Sequence, residues 1–302
     1  MIRRFADYAE LQTKVTSIFP YLFLVSYLYF VRQPIRWDLS IIFFVSLMAI
    51  DLATTCINNF VDSKTNGQRL PFYRNTASAI IFVLVAVAAV AGVYLAVHTG
   101  LVIWVLGVVC FLCGIFYTFG PLPISRLPLG ELFSGLFLGG IGPFIFLYIN
   151  MPVGSYLTYR ITFQSADFSF KPFPLITVLL LAAAPMFTIA NIMLANNICD
   201  LEKDRALGRL TLPHYLRRKK ARALYTGLYC LCCAASVLLV ITGVLPPLFL
   251  VSCLTLIPVL RNVHIFLKTQ DKETTFKSAI FNLIIIMTGN TIAVLLCIAV
   301  YR

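Results

Sequence analysis

The sequence predicts an all-α, polytopic membrane protein: nine transmembrane helices in one bundle, with the N-terminus in the cytoplasm. Three observations carry this expectation. Hydrophobic residue types make up 60% of the 302 residues, charged types only 12%, and the mean hydropathy is +0.90. Soluble domains carry about 25% charged residues. Half that share leaves too little polar surface to cover a globule, which excludes disordered, collagen-like and water-soluble enzyme classes. Second, apolar runs follow one another near the roughly 20-residue length that a spanning helix needs. Third, Lys and Arg are shared unevenly between alternate connecting segments, as the positive-inside rule describes.

The start, MIRRFADYAELQTK, carries both charge signs and no apolar core, so it does not read as a cleavable signal peptide. Spans are expected at about 15–33, 38–58, 77–97, 101–119, 129–150, 173–196, 223–244, 246–263 and 278–300. The seventh and eighth meet in a tight hairpin around Pro246–Pro247. The runs are continuously apolar rather than alternating, which excludes transmembrane strands. Segment 151–172 is the longest external loop. No connecting segment is long enough to be a separate soluble domain, so residues 1–302 are expected to form a single integral-membrane domain.

With the N-terminus inside, the inner segments hold 19 Lys plus Arg and the outer segments 5, and segment 197–222 alone holds 8. This asymmetry fixes the orientation. The net charge of +12 would suggest nucleic acid in a soluble protein. Here it reads as a cytoplasmic membrane face, whose partner is the lipid bilayer and not nucleic acid. Most of the nine cysteines lie inside apolar runs, where thiols act as small hydrophobes. Cys110 and Cys113 have a redox-like or zinc-like spacing, but no second pair or nearby His supports it.

The acidic residues, by contrast, are grouped. Span two ends in DLATTCINNFVDSKTNGQRLP (Asp51 to Pro71), and span six in NNICDLEKDRALGRLTLP (Asn196 to Pro213). Both contain Asn-Asn-x-x-Asp, at Asn58/Asn59/Asp62 and Asn196/Asn197/Asp200, and both continue to a Gly and a Pro. Both leave the membrane on the cytoplasmic side by the charge count. Residues at i, i+4 and i+8 share a helix face. Asn58, Asp62 and Asn66 therefore form one oxygen-bearing stripe, and Asn196, Asp200 and Asp204 another. Such ligands suit Mg²⁺, which takes one or two carboxylates and completes its shell with water and phosphate oxygens. Two facing stripes would hold a diphosphate between them. The neighbouring Lys64, Arg69, Lys203, Arg205 and Arg209 are candidate donors to phosphate oxygens, although several must be positive-inside charges alone.

With these residues in view, the chain resembles the UbiA-type intramembrane aromatic prenyltransferases. It is most similar to the 1,4-dihydroxy-2-naphthoate polyprenyltransferases of menaquinone synthesis. Besides the two motifs, the loop YTFGPLPISRLPLGELFSGLFLG (Tyr117 to Gly139) is similar to that subfamily's Tyr-Thr-x-Gly-Pro-x-Pro…Leu-Gly-Glu signature. The resemblance covers nearly the whole chain. It implies nine helices, and Asp-rich motifs after helices two and six that bind Mg²⁺–diphosphate. It also implies a polyprenyl diphosphate donor and an aromatic acceptor, dihydroxynaphthoate, prenylated with loss of its carboxylate. The expected setting is multi-pass in the cell membrane, with the active site facing the cytoplasm. One departure stands out. The family's first motif is commonly Asn-Asp-x-x-Asp-x-x-x-Asp, whereas Asn59 and Asn66 stand here where Asp is common, leaving Asp62 as that stripe's carboxylate.

Asp62 and Asp200 are the expected catalytic carboxylates. Asp51, two turns deeper in span two, is an ionisable group within a span and so a functional candidate. It would orient or deprotonate a phenolic acceptor, or else serve as a structural partner for a neighbouring helix. Tyr117 is expected as a wall or donor of the pocket and Arg126 as a phosphate contact. Lys14 serves an acceptor carboxylate or the diphosphate, or snorkels to the interface. Glu131 opens span five, where an acid also favours the helix dipole. Asn282 and Asn290 in span nine read as interhelical hydrogen-bonding residues. Two alternatives remain open. Sibling prenyltransferases act on 4-hydroxybenzoate, homogentisate, haem or a glycerol-phosphate lipid. Secondary transporters share internal repeats and intramembrane acids, but the acids here cluster at helix ends on one face.

Overall fold

The computed structural model describes residues 2–65, 69–119 and 123–302. A short helix α1 (Ile2–Tyr8) and a 3₁₀ segment (Leu11–Ser17) lead into α2 (Phe19–Phe30), α3 (Trp37–Thr65), α4 (Arg74–Thr99) and α5 (Leu101–Phe116). Helices α6 (Gly130–Ser134) and α7 (Gly142–Asn150) are joined by a π-helical stretch (Gly135–Ile141). An antiparallel hairpin of β1 (Leu157–Ile161) and β2 (Ala166–Phe170) follows. The chain continues through α8 (Pro172–Cys199), α9 (Leu201–Ala206) and α10 (Leu212–Ile241). A 3₁₀ stretch (Pro247–Thr255) runs into α11 (Leu256–Lys268), and α12 (Lys277–Tyr301) ends the bundle.

Among the described residues, 7 helices are long and apolar enough to cross a membrane. They correspond to all the predicted spans except the first and fourth, which are the shorter helices α2 and α5. Helix α2 has 12 residues. At 1.5 Å per residue it rises about 18 Å, well short of a hydrocarbon core of about 30 Å. Pro20 stands in its first turn, and Arg32 beyond its end has a left-handed φ of 56°. What α2 lacks in length it has in burial: Tyr21, Phe23, Leu24, Tyr27 and Leu28 are all in the core. Its other face exposes Leu22 and Tyr29, and the 3₁₀ segment Leu11–Ser17 precedes it within the predicted first span. The loop expected at 151–172 is instead largely the β-hairpin.

The core has two principal parts. One surrounds Tyr21, whose ring meets Phe44 edge-on at 5.0 Å and Phe146 at 5.5 Å, and it extends to Tyr156 at the foot of the hairpin. The other packs α8, α10, α11 and α12 through Ile198, Tyr225, Phe266 and Leu283. Asn262 Nδ2 donates to Asn282 Oδ1 at 2.8 Å, tying α11 to α12. The nine cysteines are free thiols.

The α6–α7 rod lies unusually close to α8. A Cβ on Gly139 would stand 2.6 Å from the Met186 backbone and 2.7 Å from the Pro185 carbonyl carbon, and one on Gly135 2.7 Å from the Met186 carbonyl oxygen. Small residues four apart allow such an approach. Pro143 has no N–H to return to the Gly139 carbonyl, which explains why regular α geometry gives way there. Gly139→Ala is expected to lower the unfolding temperature by about 2–5 °C, from an overpacking cost of about 1–3 kcal/mol. Gly227→Ala, where an added Cβ meets nothing within 4 Å, is not expected to lower it. Thermal unfolding of the two detergent-solubilised variants checks this.

Candidate active site

The two Asn-Asn-x-x-Asp runs meet at one end of the bundle. Helix α3 stays regular to Thr65, so Asn58 and Asp62 share a face on successive turns, and both line a cavity of about 860 Å³. Helix α8 ends at Cys199, and Asp200 opens the separate helix α9, where the Asp204 N–H donates to the Asp200 carbonyl at 2.8 Å. Asn196, Asp200 and Asp204 line the same cavity from α8 and α9. The spacing of the second stripe therefore survives a change of helix. Asn66 lies outside the described residues.

Two of these aspartates receive a cation from another part of the chain. Arg209 donates to Asp62 Oδ1 and so straps the second motif to the first. The turn that delivers it depends on Gly208, with φ 69°, and closes with the Arg209 N–H on the Asp204 carbonyl at 2.8 Å. Lys272 donates to Asp200 Oδ2. It comes from the segment between α11 and α12, which folds around Asp271. That carboxylate accepts from the Thr274 hydroxyl at 2.7 Å and from the N–H groups of Thr274 at 2.8 Å and Glu273 at 3.1 Å. These bonds, the Thr274 hydroxyl first, hold the Asp271 carboxyl below its usual range. Sequence reasoning missed Lys272. Its signal was confined to the basic charge of segment 261–277, which says nothing of what the side chain meets.

Asp204 is buried. Burial, followed by the charge of Asp200, pushes its carboxyl up to about 6, against the pull of Arg209, Lys272 and Lys203. Two interacting carboxylates backed by amide oxygens are a hard-oxygen donor set that a divalent cation would relieve. Among the described residues, no three Asp, Glu, His or Cys side chains gather into a metal site by themselves.

The second residues of the two runs also line this cavity, and their amides are tied to other parts of the chain. Asn59 Nδ2 donates to the Tyr8 carbonyl at 2.9 Å and towards Glu10 Oε1 at 3.4 Å. A carboxylate has no hydrogen to give the Tyr8 carbonyl, which accounts physically for Asn where the resembling motif has Asp. Asn197 Nδ2 donates to Glu131 Oε1 at 2.9 Å. Glu131 is buried, and its Oε2 has no hydrogen-bond partner.

Deeper in the same cavity is a buried ion pair. Lys14 Nζ donates to Asp51 Oδ1 at 2.8 Å and to Thr55 Oγ1 at 2.6 Å, while Ser17 Oγ donates to Asp51 Oδ2 at 2.6 Å. Lys14 is 5% exposed and Asp51 9%. Lys14 therefore does not snorkel: it turns inward because Asp51 is there to receive it. Both residues line the cavity, as does Tyr117, whose hydroxyl donates to the Gly130 carbonyl at 3.5 Å. Beyond them the lining becomes apolar, along Phe43 and Leu47 of α3 and Ile103, Trp104, Val108 and Phe111 of α5. The rings of Phe133 and Phe137, stacked at 5.6 Å, stand on another side.

Four predicted contacts, Lys64, Arg69, Arg126 and the exposed Arg205, are not brought to this cavity. Lys64 and Arg126 line a separate pocket of about 340 Å³ beside Phe60 and Phe119. Arg69 is exposed and lines neither pocket. Arg126 contributes its backbone instead, accepting the Leu210 N–H at 3.2 Å and so joining the two loops.

A helical membrane bundle whose cavity joins a carboxylate and cation mouth to an apolar chamber is a protein built for a ligand with a charged head and a hydrocarbon tail. The chain belongs to the UbiA prenyltransferase family, whose sequence profile matches residues 17–286. It is a multi-pass intramembrane prenyltransferase. It is 28% identical over 255 residues to the 1,4-dihydroxy-2-naphthoate octaprenyltransferase of Bacillus subtilis, covering 80% of this chain and 75% of that one. The fold is shared with a UbiA homologue from Aeropyrum pernix (TM-score 0.65, 19% identity, 93% of this chain and 96% of that one). It is also shared with a homologue from Archaeoglobus fulgidus bound to GPP and Mg²⁺ (TM-score 0.65, 12% identity, 98% of this chain and 100% of that one).

Proposed function

We propose that the chain transfers a polyprenyl group from polyprenyl diphosphate to 1,4-dihydroxy-2-naphthoate with loss of CO₂, giving demethylmenaquinone. The observation that carries this reading is the single cavity running from Asp62, Asp200 and Asp204 past Asp51 to an apolar chamber. It has a place for the diphosphate, the aromatic ring and the isoprenoid chain, in that order. The naphthoate acceptor is supported by the Bacillus relative and by the Tyr117–Gly139 signature. Nine spans, with the carboxylate end in the cytoplasm of the cell membrane, are supported by the Lys and Arg asymmetry.

In this reading Asp62, Asp200 and Asp204, with the amide oxygens of Asn58, Asn66 and Asn196, hold Mg²⁺. When bound, the ion neutralises the diphosphate as a Lewis acid, which eases departure of the leaving group. Arg209 and Lys272 exchange their carboxylate partners for phosphate oxygens, giving charge-assisted hydrogen bonds where negative charge develops. Lys203, on the same wall, adds a third donor. The allylic C–O bond breaks with its electron pair going to the diphosphate. The ring carbon that bears the carboxylate then bonds to the allylic carbon. Loss of CO₂ returns the electron pair of the broken bond to the ring. Lys14 and Asp51 stand where they can orient the acceptor's hydroxyl and carboxylate. The Phe walls exclude water and face the allylic cation.

Purified protein in lipid vesicles, given Mg²⁺, polyprenyl diphosphate and a panel of aromatic acceptors without an ion gradient, tests the proposal. The expected outcome is a prenylated naphthoquinol from the dihydroxynaphthoate. A carboxylated product from 4-hydroxybenzoate, with no turnover of the naphthoate, would keep prenyl transfer and remove the acceptor assignment.

A further inference from the structure

The β-hairpin has two unlike faces. Its register pairs Leu157 with Phe170, Tyr159 with Phe168 and Ile161 with Ala166, and between them Thr158 with Ser169 and Arg160 with Asp167. Alternate residues of a strand project to opposite faces. One face is therefore wholly apolar and aromatic, and the other carries hydroxyls, a guanidinium and a carboxylate. Phe163, in the connecting turn, adds a further ring. The protein leaves the apolar side largely bare: Phe168 is 52% exposed, Ile161 56%, Phe170 61%, and Phe163 completely. An isolated two-stranded hairpin is at best marginally stable in water, so this face calls for a covering.

Its position says what the covering is. The hairpin joins α7 to α8 at the end of α8 away from Asp200, hence at the bundle end opposite the carboxylates. Its foot is fixed: Tyr156 is buried against Phe144 and Tyr148, and its carbonyl accepts the Lys171 N–H at 2.8 Å. The aromatic face leans on the turn between α4 and α5, where the Tyr159 hydroxyl accepts the Leu101 N–H at 3.4 Å. From that turn, exposed apolar side chains run along the spanning helices: Val90 and Val97 on α4, Leu101 and Val105 on α5. On the other side, Phe170 is followed, after the exposed Lys171 and Pro172, by the exposed Phe173, Ile176 and Leu179 of α8. The apolar face thus adjoins the belt that the helices present to hydrocarbon, and exposed His98 and Lys171 stand beside it where the chain passes between hairpin and helices. Aromatic residues concentrate at the level where such a belt meets water.

We infer that hairpin 157–170 is an interfacial membrane anchor. Its occupant is the lipid surface: Tyr159, Phe163, Phe168 and Phe170 lie at the headgroup–acyl boundary of the leaflet opposite the carboxylate end, and Arg160 and Asp167 face water. The inference is independent of the acceptor and of the reaction.

The test uses the full chain in phosphatidylcholine nanodiscs, which leave both leaflets open to reagent. Phe163→Cys and Phe168→Cys are compared with Gln164→Cys and Ser169→Cys for reaction with a charged, membrane-impermeant maleimide, and the native cysteines give the background. Phe163 is fully exposed in the protein, so replacing it disturbs no packing. The expected result is that the two Phe positions react about tenfold or more slowly than their neighbours, as partitioning into the interface requires. Equal rates at the four positions would overturn the inference. So would protection seen in native membranes but missing from nanodiscs of the purified chain, which would mark a protein partner instead of lipid.

Discussion

Asp200→Ala and Asp204→Ala are each expected to lower turnover about 10²-fold or more, the scale of losing one electrostatic contact to the developing charge. Asp62→Ala is expected to be as severe, because no second carboxylate of the first motif backs it among the described residues. Asp62→Ala also releases Arg209 from its strap across the two motifs. EDTA is expected to abolish turnover in the parent chain and Mg²⁺ to restore it. Steady-state rates in vesicles, measured across a Mg²⁺ series, check this. The variants should also require more Mg²⁺ for half-maximal rate, because each loses an anionic donor. Full activity in Asp200→Ala would remove that residue from the metal assignment.

The second large effect concerns the Lys14–Asp51 pair. Both members are buried, and removing one leaves the other charge without a counterion in a low-dielectric setting. Lys14→Met alone is expected to cost about 3–5 kcal/mol of stability, the usual range for breaking a buried pair. Replacing both charges removes that penalty, so Lys14→Met/Asp51→Asn should regain most of the lost unfolding temperature. If the pair also orients the acceptor, the double variant stays slow with a raised KM for the aromatic substrate, while the KM for the prenyl donor stays near that of the parent. A double variant that recovers both stability and acceptor turnover would leave the pair a structural role alone. Thermal unfolding and initial-rate kinetics on the same preparations separate these outcomes.

Much of this site is written in the sequence. The span positions follow from unbroken apolar length, and the two Asn-Asn-x-x-Asp runs mark the helix ends that meet. What the sequence could not supply is long-range pairing. Arg209 reaches Asp62, and Lys272 reaches Asp200, across 147 and 72 residues. Nothing local in either basic segment distinguishes these side chains from Lys64, Arg69 or Arg126, which the fold leaves outside the main cavity. The same limit applies to Lys14, whose inward turn depends on Asp51 in another helix. Helix α2 was expected to be longer because hydropathy measures an apolar run and not the backbone breaks at its two ends. The hairpin was passed over for the opposite reason. Its strands are 5 residues each, and their alternation is averaged away in a window suited to spanning helices.

The central claim is prenylation at the carboxyl-bearing carbon of the naphthoate, and ring chemistry makes it measurable. A dihydroxynaphthoate substituted at that carbon must lose CO₂ to regain aromaticity, whereas a hydroxybenzoate substituted beside its hydroxyl loses a proton and keeps its carboxylate. The direct measurement is therefore CO₂ released against diphosphate released, with carboxyl-labelled naphthoate and the purified chain in vesicles. The account predicts a one-to-one ratio, and a product lighter than simple prenyl addition by one CO₂. Diphosphate release with the label retained in the prenylated product would contradict it.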